Sequence, residues 1–365
     1  MMGRWRENLY GIKGCVPDMI PLVYNPKIQR YHFGGEHPFF QDRYSDFVKV
    51  LKQQDYMKYF SIVSAEKASL EDILSVHTPE YVQKIVDLEG KGSLTLDTPL
   101  PMGISDAGRL LTGHGLKAME LVMTKTPLAV TFGGTHHAGR DYGGGFCLFN
   151  DVAIIAQTLM DTWKRERIVI LDTDAHHGNG TQDIFYESKK ILYISIHQDP
   201  RTLYPGTGFS DDIGKGEGRG YTVNIPLLPG SGDTVYGMVF RDIIAPIVHQ
   251  FDPQVVIRNG GSDVHYLDDL THLGVTHHGL YAIGEQVRLL ASGCNRLIDL
   301  TVSGYNRDVL PSAWLSLVCG VCNLEMPQIP PGFHGQTANH AGLLDATRGV
   351  ISEVKKNVGG YWDFS

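Results

Sequence analysis

The 365-residue chain is 42% hydrophobic, enough to bury one large α/β core or two smaller ones. Its formal charge of -8 excludes the broad electropositive face on which nucleic-acid binding depends, and the short basic run WKRER (163–167) reads as a solvated helix end. The first 24 residues lack the apolar centre of a signal peptide, no run suits a membrane span, and five cysteines make no disulfide framework; a reducing, cytoplasmic setting without membrane or nucleic-acid partners is expected.

In chain order, the N-terminal third reads as mostly helical, over RYSDFVKVLKQQDYMKYF (43–60), SLEDILSVHTPEYVQKIVDLE (69–89) and SDAGRLLTGHGLKAMELVM (105–123). Short apolar runs ending in loops of Gly, Asp and His then follow: PLAVTFGG (127–134), RIVILDTD (167–174), ILYISIHQD (191–199), QVVIRNGGSD (254–263) and RLIDLTVSGYN (296–306). Helical stretches separate them, including DVAIIAQTLMDTWK (151–164) and TVYGMVFRDIIAPIVHQF (234–251). Continuous β-branched runs alternating with helices predict a single-domain α/β fold, an open parallel sheet flanked by helices. Such sheets gather functional groups where the strands end, which predicts one site built from five loops.

The lone CxxC, Cys319 and Cys322, falls in the apolar run AWLSLVCGVC and reads as a pair of buried thiols. After the proline-marked stretch MPQIPPGFHG (326–335), a last helical piece, HAGLLDATRGVISEVKKN, covers 340–357. The expected organisation is a catalytic domain over 1–325 and a C-terminal extension over 326–365. The extension would pack on its own domain or on a neighbouring copy in a homo-oligomer.

The stretch LDTDAHHGNG (171–180) places Asp174 and His176 directly behind a strand, and alternation of side chains turns both to one side. Asp263, at another strand end, would complete the three-ligand arrangement of a catalytic metal site with open positions for water and substrate. Gly178 and Gly180 are expected to give the loop freedom to wrap the ion. Adjacent His136 and His137 in GGTHHAG (133–139) can supply a general base and acid, with Asp172 and Asn179 as candidate partners that tune them. Tyr305 in SGYN (303–306) sits on a glycine turn and can donate its hydroxyl to an oxyanion. His265, His277 and His278 read as ordinary surface or hydrogen-bonded histidines.

Taken in order, GTHHAGRDYGGGFCLFND (134–151), LDTDAHHGNGTQDIF (171–185), SIHQDPRTLYPGTG (195–208), GGSDVHYLDDL (260–270) and SGYN resemble the zinc-dependent histone deacetylase family. The likeness is strongest to its bacterial and archaeal members, including acetoin-utilisation-type proteins and acetylpolyamine amidohydrolases. It implies the arginase/deacetylase fold, one Zn2+ held by Asp174, His176 and Asp263, and attack by metal-activated water on an acyl amide. By the same resemblance His137 is the general base and acid, His136 tunes charge beside it, Asp172 hydrogen-bonds His136 and Asn179 orients His137. Asn179, where many members carry aspartate, resembles the class II branch.

Tyr305 matches the tyrosine that polarises the scissile carbonyl. Phe146 and Tyr204 match the walls of the acyl-lysine tunnel, with Gly145 letting the backbone approach. Asp97 falls at the position of a rim aspartate, and Asp172 with Ser195 at that of a structural potassium site. Ser303 departs from the glycine usual before the tyrosine.

The fold is shared with the binuclear arginase group, but Gly178 and His265 stand where that group needs carboxylates, which favours a mononuclear amidohydrolase. Leu270 stands where polyamine-selective members are expected to carry a glutamate. The resemblance therefore implies deacylation, most simply deacetylation, of lysine in peptides or proteins. Deacetylation of small amines such as acetylpolyamines is the first alternative; a non-catalytic acyl-lysine binding protein is the second.

Overall fold

Eight strands form one sheet: β1 (Ile20–Val23), β2 (Phe60–Val63), β3 (Leu128–Phe132), β4 (Ile168–Asp172), β5 (Ile191–Gln198), β6 (Thr222–Leu227), β7 (Val255–Gly260) and β8 (Leu297–Thr301). The structure, a computed structural model, describes residues 19–335 and 341–364. Residues 1–18 of the opening segment read above for targeting signals, and His340 of the last helical piece, lie outside the described residues. All strand pairs are parallel, in the order β2-β1-β3-β8-β7-β4-β5-β6.

The five apolar runs of the sequence are β3, β4, β5, β7 and β8, and every residue of these five strands is buried. Helices cover both faces, so the central strands carry apolar residues continuously instead of alternating. Arg258 of β7 and Asp299 of β8 are also fully buried; Nε of the arginine donates to Oδ1 at 2.6 Å and clips the two strands together beneath the site.

Three strands depart from the helical reading of the N-terminal third or were not anticipated. The helix over 43–60 stops at Gln53; Asp55 takes φ 61, a 3-10 turn follows at Met57–Tyr59, and the chain enters β2. β2 is a four-residue edge strand with a partly exposed pattern, and β1 and β6 each contain a proline. These features hide the run of β-branched residues that marks the other five. The helix over 69–89 is two helices, Leu70–Leu74 and Pro79–Leu88, because Thr78 caps the second through its hydroxyl and Pro79 starts it.

The chain passes from β3 to β4 across the places later filled by β8 and β7, and returns from the edge at β6 to insert those two strands. This reversal opens a crevice above the carboxyl ends of β3, β8, β7 and β4. Far from it, helix Ala341–Val358 packs along β6, where Ser210 Oγ donates to Glu353 Oε1 at 2.6 Å and Trp362 Nε1 to Gly220 O at 2.7 Å. Cys319, in helix Leu310–Val321, and Cys322, at its C-cap, are buried, and burial pushes both thiols up. No helix among the described residues is long and apolar enough to cross a membrane.

Candidate active site

Asp174 and His176 lie in a bend just after the end of β4, where the expected extended segment is replaced by a turn in which the His176 amide donates to Asp174 Oδ1 at 2.8 Å, and Asp263 enters from the loop after β7. Their ligand atoms lie within 4.8 Å of one another, and all three residues are buried. His176 Nδ1 faces Asp174 Oδ1 at 3.1 Å and Asp263 Oδ2 at 3.0 Å. Ser303 Oγ donates to the other Asp263 oxygen at 2.9 Å, and the Ala175 amide donates to Oδ2 at 3.2 Å.

Burial, and next the charge of Asp174, push the Asp263 carboxyl well up. Two buried carboxylates held this close are costly together unless a cation lies between them, so the donor set fits a divalent metal. Among the described residues no other cluster has this character. His265 is instead buried against His277, Nε2 to Nδ1 at 3.1 Å. A side chain at 178 would strike the Asp172 carboxylate and come within 2.9 Å of His136 Nδ1, so no second acidic ligand fits there. Neither Gly178 nor Gly180 has a positive φ; contrary to the expected wrapping freedom, close approach of neighbouring atoms is what excludes side chains at both.

The histidine pair rises from the loop after β3. That loop is pinned to the start of helix Asp151–Asp161: the Asp151 carboxylate accepts from the amides of Gly134 at 2.9 Å and Thr135 at 2.8 Å, while Asn150 Nδ2 donates to Ala138 O at 2.9 Å. His136 Nδ1 donates to Asp172 Oδ2 at 2.7 Å. His137 Nδ1 donates to Asn179 Oδ1 at 2.8 Å, and the two imidazoles lie 4.2 Å apart.

The environments split them. Burial alone would lower His136, but the charges of Asp172 and Asp174 outweigh it and hold it at about 9. Burial, then the neighbouring His136 and His176, push His137 well below the ordinary histidine value, which favours a neutral ring. Asp172 is satisfied on both oxygens, accepting also from Asn259 Nδ2 at 3.0 Å and the Tyr193 hydroxyl at 3.1 Å. Ser195 pairs with Asp172 across β4 and β5, and its hydroxyl meets His197 Nδ1 at 2.8 Å.

Tyr305 and His137 both stand edge-on to His176, with ring centroids 6.1 and 6.0 Å from it. Gly304 adopts φ +131, which lets the loop after β8 turn Tyr305 inward. Burial, and next the charges of Asp174 and Asp263, push the Tyr305 phenol well up, so it retains its proton. Its amide donates to Asp268 Oδ2 at 2.8 Å, a carboxyl that burial raises to about 6.

Phe146 stands 5.7 Å from the Tyr305 ring, and Tyr204, 46% exposed, stands 5.0 Å from the His137 ring. Gly145 has φ +54, and a Cβ there would lie 2.5 Å from His137 Cδ2 and 2.9 Å from Tyr204 Cε1. Phe146 itself has φ +67, held by donation from its amide to Thr98 Oγ1 at 3.0 Å and from Tyr31 OH to its carbonyl at 2.7 Å. Asp97 accepts from the same Thr98 hydroxyl at 2.9 Å, which links Asp97 to Phe146. Half-buried Leu270 donates its amide to Asp268 Oδ1 at 2.9 Å. A cleft of about 490 Å³ opens beside Tyr305, lined by Glu36, His37, Pro38, Phe40 and Asp269 among others.

Several contributors escaped the sequence reading. Arg43 is fully buried; its Nη1 donates to Val302 O at 2.7 Å, and its guanidinium lies 5.8 Å from the Tyr305 ring centroid. Nothing local marks it, since Val302 is 259 positions away. Tyr142 and Asp183, which meet behind Asn179, lie within the quoted stretches 134–151 and 171–185, but nothing in the residues themselves marks them as partners.

With this geometry in place, comparison with known proteins is direct. Residues 37–321 match the histone deacetylase domain. The chain belongs to the histone deacetylase family. A probable deacetylase of Archaeoglobus fulgidus is 38% identical over 319 residues, 84% of this chain and 88% of that one. The acetoin utilization protein AcuC of Bacillus subtilis is 36% identical over 327 residues, 85% of this chain and 83% of its own. The crystal structure of the HDA15 HD domain aligns with a TM-score of 0.82 at 25% identity, covering 95% of this chain and 96% of that one. The family is a deacetylase family, and its fold is the single parallel sheet described above.

Proposed function

We propose that this member is a zinc-dependent amidohydrolase that removes acyl groups, acetyl foremost, from the side-chain amine of lysine in peptides or proteins. The observation that carries the reading is the placement of a neutral imidazole, His137, and a protonated phenol, Tyr305, with ring centroids 6.0 and 6.1 Å from the His176 ring of the Asp174, His176 and Asp263 cluster. A zinc ion held by those three residues would supply Lewis-acid activation of water and of the amide carbonyl.

The protein groups account for the rest. With Nδ1–H engaged by Asn179, His137 presents the Nε2 lone pair and takes a proton from the attacking water. Tyr305 donates its O–H to the carbonyl oxygen as negative charge develops there. The His137 imidazolium then returns its proton to the leaving nitrogen as the C–N bond breaks, giving a carboxylate and a free amine. His136, hydrogen-bonded to Asp172, keeps a cationic ring beside this centre. Phe146 and Tyr204 would flank the aliphatic stem, Asp97 would meet the substrate backbone at the rim, and Leu270 would leave that rim without a glutamate. Asp172 and Ser195 would contribute to a structural potassium site.

One observation favours the small-amine reading: Glu36 and Asp269 both line the cleft beside Tyr305 and would attract a second ammonium. Arg307 lines the same cleft and offsets them. Side-by-side turnover of an acetyl-lysine peptide and an N-acetylated polyamine decides between the two. A higher kcat/KM for the peptide supports the proposal; a higher value for the polyamine supports the alternative.

A further inference from the structure

Asn179 raises a difficulty that an aspartate would not. A carboxylate offers His137 two equivalent acceptors, whereas a carboxamide offers an acceptor on one side and a donor on the other. Rotated by half a turn, the amide would set its NH2 against His137 Nδ1 and stabilise the tautomer whose Nε2 is already protonated. That tautomer cannot accept a proton from water.

The orientation is set from behind. Asp183 is a carboxylate and can only accept, so the Tyr142 hydroxyl that meets its Oδ2 must donate to it. The phenol oxygen then has only lone pairs to offer Asn179, whose Nδ2 lies 3.4 Å away and donates. Oδ1 is left to accept from His137 Nδ1–H at 2.8 Å. Tyr142 is seated for this: its ring lies on the backbone at Gly139, where any Cβ would collide with it, and the Gly139 amide donates to Tyr142 O at 2.9 Å. Burial, then the bond to Asp183, push the phenol well up, so it keeps the proton it donates.

We propose that Tyr142 and Asp183 are positioning residues that fix the direction of the Asn179 amide and thereby the tautomer of His137. The inference rests on His137 acting as the base.

The test is a double-mutant cycle on the zinc-loaded protein. Tyr142→Phe is expected to lower kcat roughly fivefold to tenfold with KM little changed, the scale of one lost hydrogen bond. In an Asn179→Asp background, where no amide needs aiming, the same substitution is expected to have little effect on kcat. Nitrogen-15 correlation spectra of the histidine side chains provide a readout separate from turnover: His137 should carry its hydrogen on Nδ1 in the wild type and shift toward Nε2 in Tyr142→Phe. Equal losses in both backgrounds, or a His137 tautomer untouched by Tyr142→Phe, would overturn the proposal. If the wild type cleaves no acyl amide, the functional reading fails, and the tautomer shift still decides the relay.

Discussion

The hydroxyl of Ser303 donates to Oδ1 of Asp263 across 2.9 Å, tying the loop that carries Tyr305 to a candidate metal ligand. A glycine at 303 would leave that oxygen without this donor. Partners behind a metal ligand typically contribute tenfold to a hundredfold to affinity. Ser303→Ala should therefore weaken zinc binding by about that factor, read by competition with a chromogenic chelator. Unchanged affinity would mean that the hydroxyl only packs.

Tyr305→Phe keeps the ring edge-on to Phe146 and His176 but removes its O–H. Its loss should fall on the transition state: kcat lower by about 100- to 1,000-fold, with KM nearly constant. A change mainly in KM would assign the phenol to substrate binding instead.

Gly145→Ala would place a methyl 2.5 Å from His137 Cδ2 at a backbone φ of +54. Because the methyl must displace the imidazole or the loop, turnover should fall at least tenfold, in line with the sensitivity of catalysis to ångström-scale misplacement. Gly349→Ala, a helical position with nothing within 4 Å of its Cβ, provides the comparison and should leave turnover as it is. Comparable losses in the two variants would count against a role for the close approach at Gly145.

Stability should depend on a histidine remote from the site. His114 is buried in helix Ile104–Thr124, its Nδ1 donating to Leu110 O at 2.7 Å and its Nε2 accepting from the Asn25 amide at 2.9 Å. A second proton would break the latter bond, and burial holds the folded value at about 4. Unfolded histidine titrates near ~6.5, so below that pH the unfolded chain takes up a proton that the native chain refuses. The contribution is complete above ~6.5 and is lost as pH falls toward 4. Between pH 7 and pH 5 the fall in unfolding free energy should be smaller in His114→Gln than in the wild type by about 2 kcal/mol, measured with urea. Equal falls would show that His114 is protonated within the native state.

Much of this architecture was legible in the residues because the central strands are buried on both faces and end in loops of unusual composition. β3, β4, β5, β7 and β8 announce themselves as apolar runs, and the polar groups behind them converge in one crevice. The edge strands did not, since β2 is short and half-exposed while Pro226 interrupts β6. At the site, residue types were readable but their supports were not. Arg43 under Val302, and Tyr142 with Asp183 behind Asn179, become partners only through packing between distant segments. Ser303, a departure by sequence, gained a reason only when its bond to Asp263 was visible.

The measurement that bears most directly on the central claim is reactivation of the metal-stripped protein on an acetyl-lysine peptide, titrated with zinc and followed alongside Asp174→Ala. The account predicts that activity vanishes on stripping, returns in full at one equivalent of zinc, and does not return in Asp174→Ala. Full turnover by the stripped protein, or by Asp174→Ala, would contradict it.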